Sequence, residues 1–306
     1  MSDQILKLQQ SIRQAIHGKN EVIDDVLCAF LAQGHILLED IPGVGKTTLV
    51  TALAKVMNLD YKRIQFTPDV LPSDLTGFTM LDKETGKFTY HKGAVHTNLF
   101  LADEINRTSP KTQSALLEVM EEGHVTVDGV TYDLPTPFLV IATQNPIGAS
   151  GTQKLPESQL DRFMVRLSMG YPNHSSAINI LKGDSHRIIK NLEPVVSLDE
   201  IVKMQQECEQ VHVSDSLYEY AVSLTEATRD PETFLLGLSP RGSIALLKMA
   251  KAHAYLNGND FVSPEDFRDT YLAVANHRVI LSTKAKASGM TVEAALSKAF
   301  ASVSIP

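Results

Sequence analysis

Short apolar runs alternate with amphipathic stretches through the first two-thirds of the chain. The runs His35–Leu38, Arg63–Phe66, Leu99–Ala102, Phe138–Ala142 and Phe163–Leu167 read as strands of a parallel sheet covered on both faces. Helical spacing predicts a helix from Lys46 to about Met57. A second helix has Ser109 as N-cap and Pro110 at its first position, should bury Ala115, Leu116, Val119 and Met120, and stops at Gly123. Two hairpin-like insertions interrupt the alternation. Phe78–Leu81 and Lys87–His91 flank the polar loop from Asp82 to Gly86, and His124–Val127 and Val130–Leu134 flank the tight-turn pair Asp128-Gly129.

From about Pro194 the spacing is helical throughout. Ser197-Leu198-Asp199-Glu200 and Ser263-Pro264-Glu265-Asp266 read as helix starts of the capping-box kind. Leu217, Tyr220, Ala221 and Leu224 form an apolar stripe, and Ser239-Pro240 opens a helix carrying Ile244, Leu247 and Ala250. The change of pattern near residues 190–196 divides the chain into an α/β part over 1–192 and a small all-helical part over 193–306. A length of 306 residues suits two such parts.

Composition narrows the function classes. With 43% hydrophobic and 21% charged residues the chain has an ordinary globular core. A net charge of −8 gives no global field favouring nucleic acid or an anionic membrane, although a local basic groove stays open. Cys28 and Cys208 each fall in an amphipathic segment, which suits buried thiols in a reducing compartment better than a disulfide. Met1–Gln10 lacks the apolar centre of a signal peptide, and no apolar run approaches membrane-spanning length, so a soluble cytoplasmic protein without membrane insertion is expected.

The segment from Ile36 to Thr48 carries the decisive chemistry: an apolar strand, a tight loop Asp40-Ile41-Pro42-Gly43-Val44-Gly45, then a helix opening on Lys46-Thr47-Thr48. A loop wrapping onto a helix N-terminus offers a polyphosphate backbone N–H groups and the positive end of the dipole. Gly43 and Gly45 let the backbone come close, Lys46 can reach the β- and γ-phosphates, and the Thr47 hydroxyl can ligate Mg²⁺. Asp40 stands where this loop usually has its first glycine; aspartate tolerates unusual backbone angles, so the loop should survive. Leu99-Phe100-Leu101-Ala102-Asp103-Glu104 delivers two carboxylates at a strand end, where ligands sit in open α/β sheets. Asp103 can hold the Mg²⁺ shell through water, and Glu104 can polarise the attacking water. Asn145, ending the next apolar strand, can position that water without adding charge; the bland alternative is an Asn-Pro turn. Arg162 and Arg241 could read the nucleotide's charge. Arg241 sits in a helix's first turn, where the dipole disfavours it, and a surface ion pair is the competing reading for both. No H-E-x-x-H or similar metal spacing occurs.

In order, these motifs resemble the MoxR family of AAA+ ATPases over essentially the whole chain. The likeness is carried by Leu37 to Thr47, Leu101 to Arg107, Gln113 to Glu118, Ala142 to Pro146, Leu155 to Phe163, Ser239-Pro240-Arg241 and His277-Arg278-Val279. It implies an AAA+ P-loop core, a parallel five-stranded sheet sandwiched by helices with β-hairpin insertions, followed by a helical lid. It also implies Asn145 as the sensor 1 residue, Arg162 as the arginine finger and Arg241 as the sensor 2 residue, acting within or between subunits. Ile16 to Lys19, Gly18 among them, would line the adenine pocket, and the phosphate loop with Pro42, Val44 and Thr48 would complete the ATP site. The resemblance further implies a ring, a hexamer, acting on a protein client with a separate von Willebrand factor A domain partner. Relatives with the same hairpins grip DNA, so a nucleic-acid motor is the alternative. Lys83 and Lys87 are balanced by Asp82 and Glu84 in the first hairpin, which argues against it.

Overall fold

The computed structural model describes residues 2–84, 86–145 and 154–306. The chain opens with helices α1 (Ser2–Ala15) and α2 (Asn20–Leu31), followed by β1 (Ile36–Glu39), α3 (Lys46–Val56), β2 (Tyr61–Gln65) and the short α4 (Pro72–Thr76). A first hairpin, β3 (Gly77–Leu81) with β4 (Phe88–Lys92), precedes β5 (Leu99–Asp103) and α5 (Pro110–Glu122). The second hairpin, β6 (His124–Val127) with β7 (Val130–Asp133), precedes β8 (Leu139–Gln144), α6 (Glu157–Leu160) and β9 (Val165–Leu167). The remainder holds α7 (His174–Leu181), α8 (Asp184–Asn191), α9 (Leu198–Glu209), α10 (Asp215–Glu226), β10 (Phe234–Leu236), α11 (Pro240–Leu256), α12 (Pro264–Ala275), β11 (Ile280–Leu281), α13 (Thr283–Ala287) and α14 (Val292–Ala301).

The five-stranded sheet has the order β2-β5-β8-β1-β9 with every pairing parallel. Its strands alternate between two cores, as a two-residue period requires. Ile36, Leu38, Leu99, Leu101 and Ile141 face the core shared with α1, α2 and α3. Leu37, Phe100, Ala102, Val140 and Ala142 face the core capped by Leu116, Leu117 and Val119 of α5. Apolar residues on both faces explain why the strands read as continuous runs.

Several local expectations shift. The strand expected at Arg63–Phe66 runs as Tyr61–Gln65, and that expected at Phe163–Leu167 begins only at Val165, because the Phe163 carbonyl is taken by His277 and Arg278 instead of the ladder. In α5 Leu117 is buried while Ala115 is half-buried. In α11 Ile244 is 58% exposed, and the buried face is Gly242, Ala245, Leu246 and Met249. The helical pattern past Pro194 also conceals the antiparallel pair β10–β11, whose few residues are too short a run to show alternation. Cys28 and Cys208 are free, buried thiols. Among the described residues no helix is long and apolar enough to cross a membrane.

His35 ties α5 to the sheet. Val140 N–H donates to its Nδ1 at 3.0 Å, so the proton lies on Nε2, which donates to the Met120 carbonyl at 2.8 Å. Burial pushes the ring down to about 4 from its ordinary 6.5. The folded value is the lower one, so the stability this neutral ring contributes is complete above about pH 7 and is lost as pH falls through 6.5 towards 4. Urea unfolding should therefore show the wild type losing about 2 kcal/mol more than His35→Gln between about pH 8 and pH 5. Equal losses in the two proteins would mean that the ring is protonated in the fold.

Candidate nucleotide site

The loop after β1 is shaped by two left-handed glycines, Gly43 at φ +83° and Gly45 at φ +96°. Nothing lies within 4 Å of where a Gly43 Cβ would stand, so the loop presents bare backbone to open space. Gly45 caps α3 without any side-chain hydrogen bond, and the first turn of α3 has no acidic residue, leaving its N–H groups for an anion. Lys46 Nζ folds back onto the loop, donating to the carbonyls of Asp40 at 2.8 Å and Ile41 at 3.3 Å. Burial lowers its pKa, against the opposing pull of Asp40, Asp103 and Glu104.

Asp40 is present for its side chain, not for an unusual backbone angle; it is absent from the positive-φ residues. Only 5% exposed, its carboxylate accepts from Ser168 Oγ at 2.8 Å, Met169 N–H at 2.5 Å and Gly170 N–H at 3.0 Å. These three bonds clamp the segment after β9 against the phosphate loop. A glycine at position 40 could not make them.

At the end of β5, Thr143 of the adjacent β8 organises both acids. Its hydroxyl donates to Asp103 Oδ1 at 2.6 Å and accepts from the Glu104 N–H at 2.8 Å. Glu104 takes a left-handed φ of 56°, uncommon for a non-glycine residue and the kind of outlier that clusters at functional sites. Arg107 Nη1 donates to Glu104 Oε2 at 2.8 Å. Arg63 donates to Asp103 Oδ2 through Nη2 at 2.6 Å and Nε at 3.2 Å. Asn145 directly follows β8, half-buried, and the register Ala102↔Ala142 places it beyond the two acids on the same side of the sheet edge. Pro146, its partner in the sequence motif, lies outside the described residues. The donor set fits Mg²⁺: the Thr47 hydroxyl and the Asp103 carboxylate are hard oxygens, and among the described residues no three or more His, Cys, Asp or Glu are grouped so as to hold a metal ion by themselves. That pattern suits a metal shared with nucleotide phosphates better than an all-protein cage.

Beside the loop lies a cleft of about 210 Å³ lined by Ile16, His17, Lys19, Val44, Thr48 and Met169. It is mostly apolar, as an adenine would want, and Pro172 and Ile180 also line it. Gly18 backs this wall: at φ +71°, a Cβ there would stand 2.7 Å from Ser176 Oγ. A larger groove of about 680 Å³ between Ile5, α9 and Tyr255 contains none of these residues, and size alone does not outweigh the phosphate-loop chemistry.

Arg162 and Arg241 converge elsewhere. Both pair with one carboxylate, Glu121 at the end of α5, Arg162 Nη1 at 2.8 Å from Oε2 and Arg241 Nη2 bonded to Oε1. Arg162 also donates to the Leu117 carbonyl at 2.9 Å. The neighbouring Met120 carbonyl is held by His35, at the start of β1, whereas the phosphate loop leaves its end, about 13 Å further along a four-residue strand. The two arginines therefore gather away from their own phosphate loop. Arg166 is occupied by Asn276 (two bonds of 2.9 Å) and lies 3.5 Å from Glu39.

Residues 35–165 match the model of the ATPase family associated with various cellular activities (AAA), and residues 226–299 match the AAA lid domain. Chaperone MoxR1 of Mycobacterium tuberculosis is 35% identical, the alignment covering 96% of this chain and 80% of that protein. Protein MoxR of Methylorubrum extorquens is 30% identical over 91% of this chain and 88% of its own length. The chain belongs to the MoxR family of AAA+ ATPases. Among its relatives, the uncharacterized Bacillus subtilis protein YeaC is 48% identical over 98% of this chain and 94% of its own. A crystal structure of a candidate ATPase from Cytophaga hutchinsonii superposes with a TM-score of 0.90 at 38% identity, covering 100% of this chain and 96% of that one. A Methanopyrus kandleri MCM homologue, at TM-score 0.61 and 20% identity over 88% of this chain and 57% of that one, shares the fold alone.

In this MoxR-family ATPase several residues around the site have roles that the sequence does not show. Arg278 is the clearest. Its guanidinium, 2% exposed, donates to Asp161 Oδ1 at 2.8 Å, to the Met164 carbonyl at 2.9 Å and to the Phe163 carbonyl. Ser239 Oγ donates to the other Asp161 oxygen at 2.8 Å. His277, held by burial well below its ordinary value, donates from Nε2 to the Phe163 carbonyl at 3.0 Å. The motif His277-Arg278-Val279 could have pointed here, but only its partners give it a meaning. Thr143, Arg63 and Glu121 had no signal beyond residue type.

Proposed function

We propose that this MoxR-family ATPase binds ATP with Mg²⁺ and uses its hydrolysis, in a ring of identical subunits, to remodel or mature protein complexes. The observation that carries the reading is the separation of two half-sites on one chain: Lys46, Thr47, Asp103 and Glu104 converge at one end of the sheet, and Arg162 and Arg241 gather at the other. Lys46 and the loop N–H groups bind the phosphates, Thr47 and Asp103 hold the metal, Glu104 takes the proton of the attacking water and Asn145 orients it. The metal neutralises charge on the phosphate oxygens. Arg162, with Arg241, completes the site of the adjacent subunit; a hexamer is the ring expected. The chain divides at 192/193 into the nucleotide-binding part and the lid, and the cytoplasm is its compartment.

A protein client is favoured over nucleic acid by the β3–β4 hairpin. Phe78 (48% exposed), Met80, Leu81 and Phe88 (76%) make it an apolar projection, with acids offsetting its lysines. A relative carries the name Chaperone MoxR1, and a separate von Willebrand factor A domain protein is the partner to look for. Stimulation of the ATPase by DNA in a salt-dependent manner would reverse this preference.

The test of the nucleotide site itself is Lys46→Ala. Losing a charge-assisted bond to phosphate in a sheltered site should weaken ATP binding about a hundredfold or more, read by titration calorimetry. Near-normal affinity in a folded Lys46→Ala protein would sink the phosphate-loop assignment.

A further inference from the structure

Arg63 takes no part in the proposed hydrolysis, yet its guanidinium rests on the carboxylate that should hold the metal. It lies on β2, the edge strand beside β5, in register with Leu101, two residues short of the Gln65↔Asp103 pair. Tyr61, Arg63 and Gln65 share one face of that strand, and Tyr61 packs into the core that includes α3. Arg63 therefore stands on the face of the helix whose first residues are Lys46 and Thr47, one pleat closer than Tyr61 to the strand ends where the acids lie.

The two oxygens of Asp103 are engaged differently. Oδ1 accepts the Thr143 hydroxyl at 2.6 Å, a bond that also links to the Glu104 N–H and so belongs to the frame of the site. Oδ2 faces Arg63, with Nη2 at 2.6 Å and Nε at 3.2 Å, while Nη2 reaches Gln65 Oε1 at 3.1 Å. The Arg63 side chain is 44% exposed and that of Asp103 13%. The acid is fixed; the arginine has room to leave and a second acceptor, Gln65, on its own strand.

We infer that Arg63 is the resident counter-ion of the metal position, holding Asp103 Oδ2 until the Mg²⁺–nucleotide enters and then withdrawing from it. The inference rests on the assignment of Asp103 to Mg²⁺ proposed above. Because the guanidinium and the hydrated metal claim the same oxygen, they oppose each other. Arg63 thereby raises the Mg²⁺ concentration that nucleotide binding requires. An arginine that merely oriented Asp103 would have the opposite effect, since its loss would weaken metal binding.

The experiment follows binding, not turnover. A fluorescent ATP analogue at fixed concentration is titrated with free Mg²⁺, against a chelator blank, for wild type, Arg63→Gln, Arg63→Lys and Asp103→Asn, each checked for an unchanged thermal melt. Arg63→Gln should lower the half-saturating Mg²⁺ about fivefold, the scale of an exposed ion pair, about 1 kcal/mol. Arg63→Lys, which keeps the charge, should stay near wild type. An unchanged or raised Mg²⁺ requirement in Arg63→Gln overturns the inference and leaves Arg63 as a fixed support. Failure of the underlying assignment looks different: Mg²⁺ would not strengthen wild-type binding, or Asp103→Asn would keep the wild-type Mg²⁺ dependence, and either result overturns both.

Discussion

An Arg162→Ala protein and a Glu104→Gln protein, each nearly inactive alone, should recover ATPase activity when combined into mixed rings. The expectation starts from where Arg162 lies. It sits between α6 and β9, paired with Glu121 and bonded to the Leu117 carbonyl, near the start of β1 and not near the loop that leaves its end. A guanidinium in that place serves phosphates only if another subunit presents them. There it would neutralise charge developing on the γ-phosphoryl oxygens, an effect worth about 10³–10⁵ in rate where arginine fingers have been removed. In mixed rings some interfaces join an intact Glu104 to an intact Arg162, and those sites should fire. Arg241, on the same Glu121 carboxylate, should behave alike in the same experiment. If mixed rings form and no activity returns, Arg162 does not act across the interface.

Glu104→Gln alone should leave ATP binding intact while turnover falls by roughly 10²-fold or more, the scale of losing a positioned general base. Glu104 is set apart from Asp103 by its surroundings: the Asp103 carboxylate is engaged by Arg63 and Thr143, whereas the Glu104 carboxylate, on a residue of positive φ, accepts from Arg107. The glutamine keeps the shape and loses the basicity. A wild-type rate from Glu104→Gln would place the base elsewhere. The trapped ATP-bound form is also the protein to use for capturing clients, since it should hold what the cycle normally releases.

What the sequence made legible here was whatever is local. The phosphate loop is a contiguous run whose glycines, lysine and threonine each have one physical reason to be there, and Asp103-Glu104 end an apolar run that takes its meaning from the phosphate loop about 50 residues before it. The sheet was readable because its inner strands β1, β5 and β8 bury both faces. The role of Asp40 is not local: its partners Ser168, Met169 and Gly170 lie about 130 residues away, and nothing near position 40 announces them. Arg63 and Thr143 find Asp103 across 40 residues each, and Arg278 finds Asp161 across 117. Residue type gives no hint of such pairings, because an arginine on an edge strand looks the same whether it meets water or a carboxylate. For Arg162 and Arg241 the residue type allows a surface ion pair or a reader of charge, and the geometry on the chain itself is the ion pair, shared by both on Glu121.

The grip of Arg278, His277 and Ser239 on Asp161, Phe163 and Met164 has a practical consequence for anyone cutting this chain into pieces. A fragment ending near residue 192 would strip the donors from the carbonyls of Phe163 and Met164 and from both oxygens of Asp161, at the point where the chain enters β9. Buried and half-buried acceptors left without donors cost stability, so such a fragment should fray at that strand instead of yielding a smaller working ATPase. The same holds over evolutionary time. A chimaera that borrows its C-terminal part from a distant relative must borrow the loop before β9 as well, and the two stretches can drift only together.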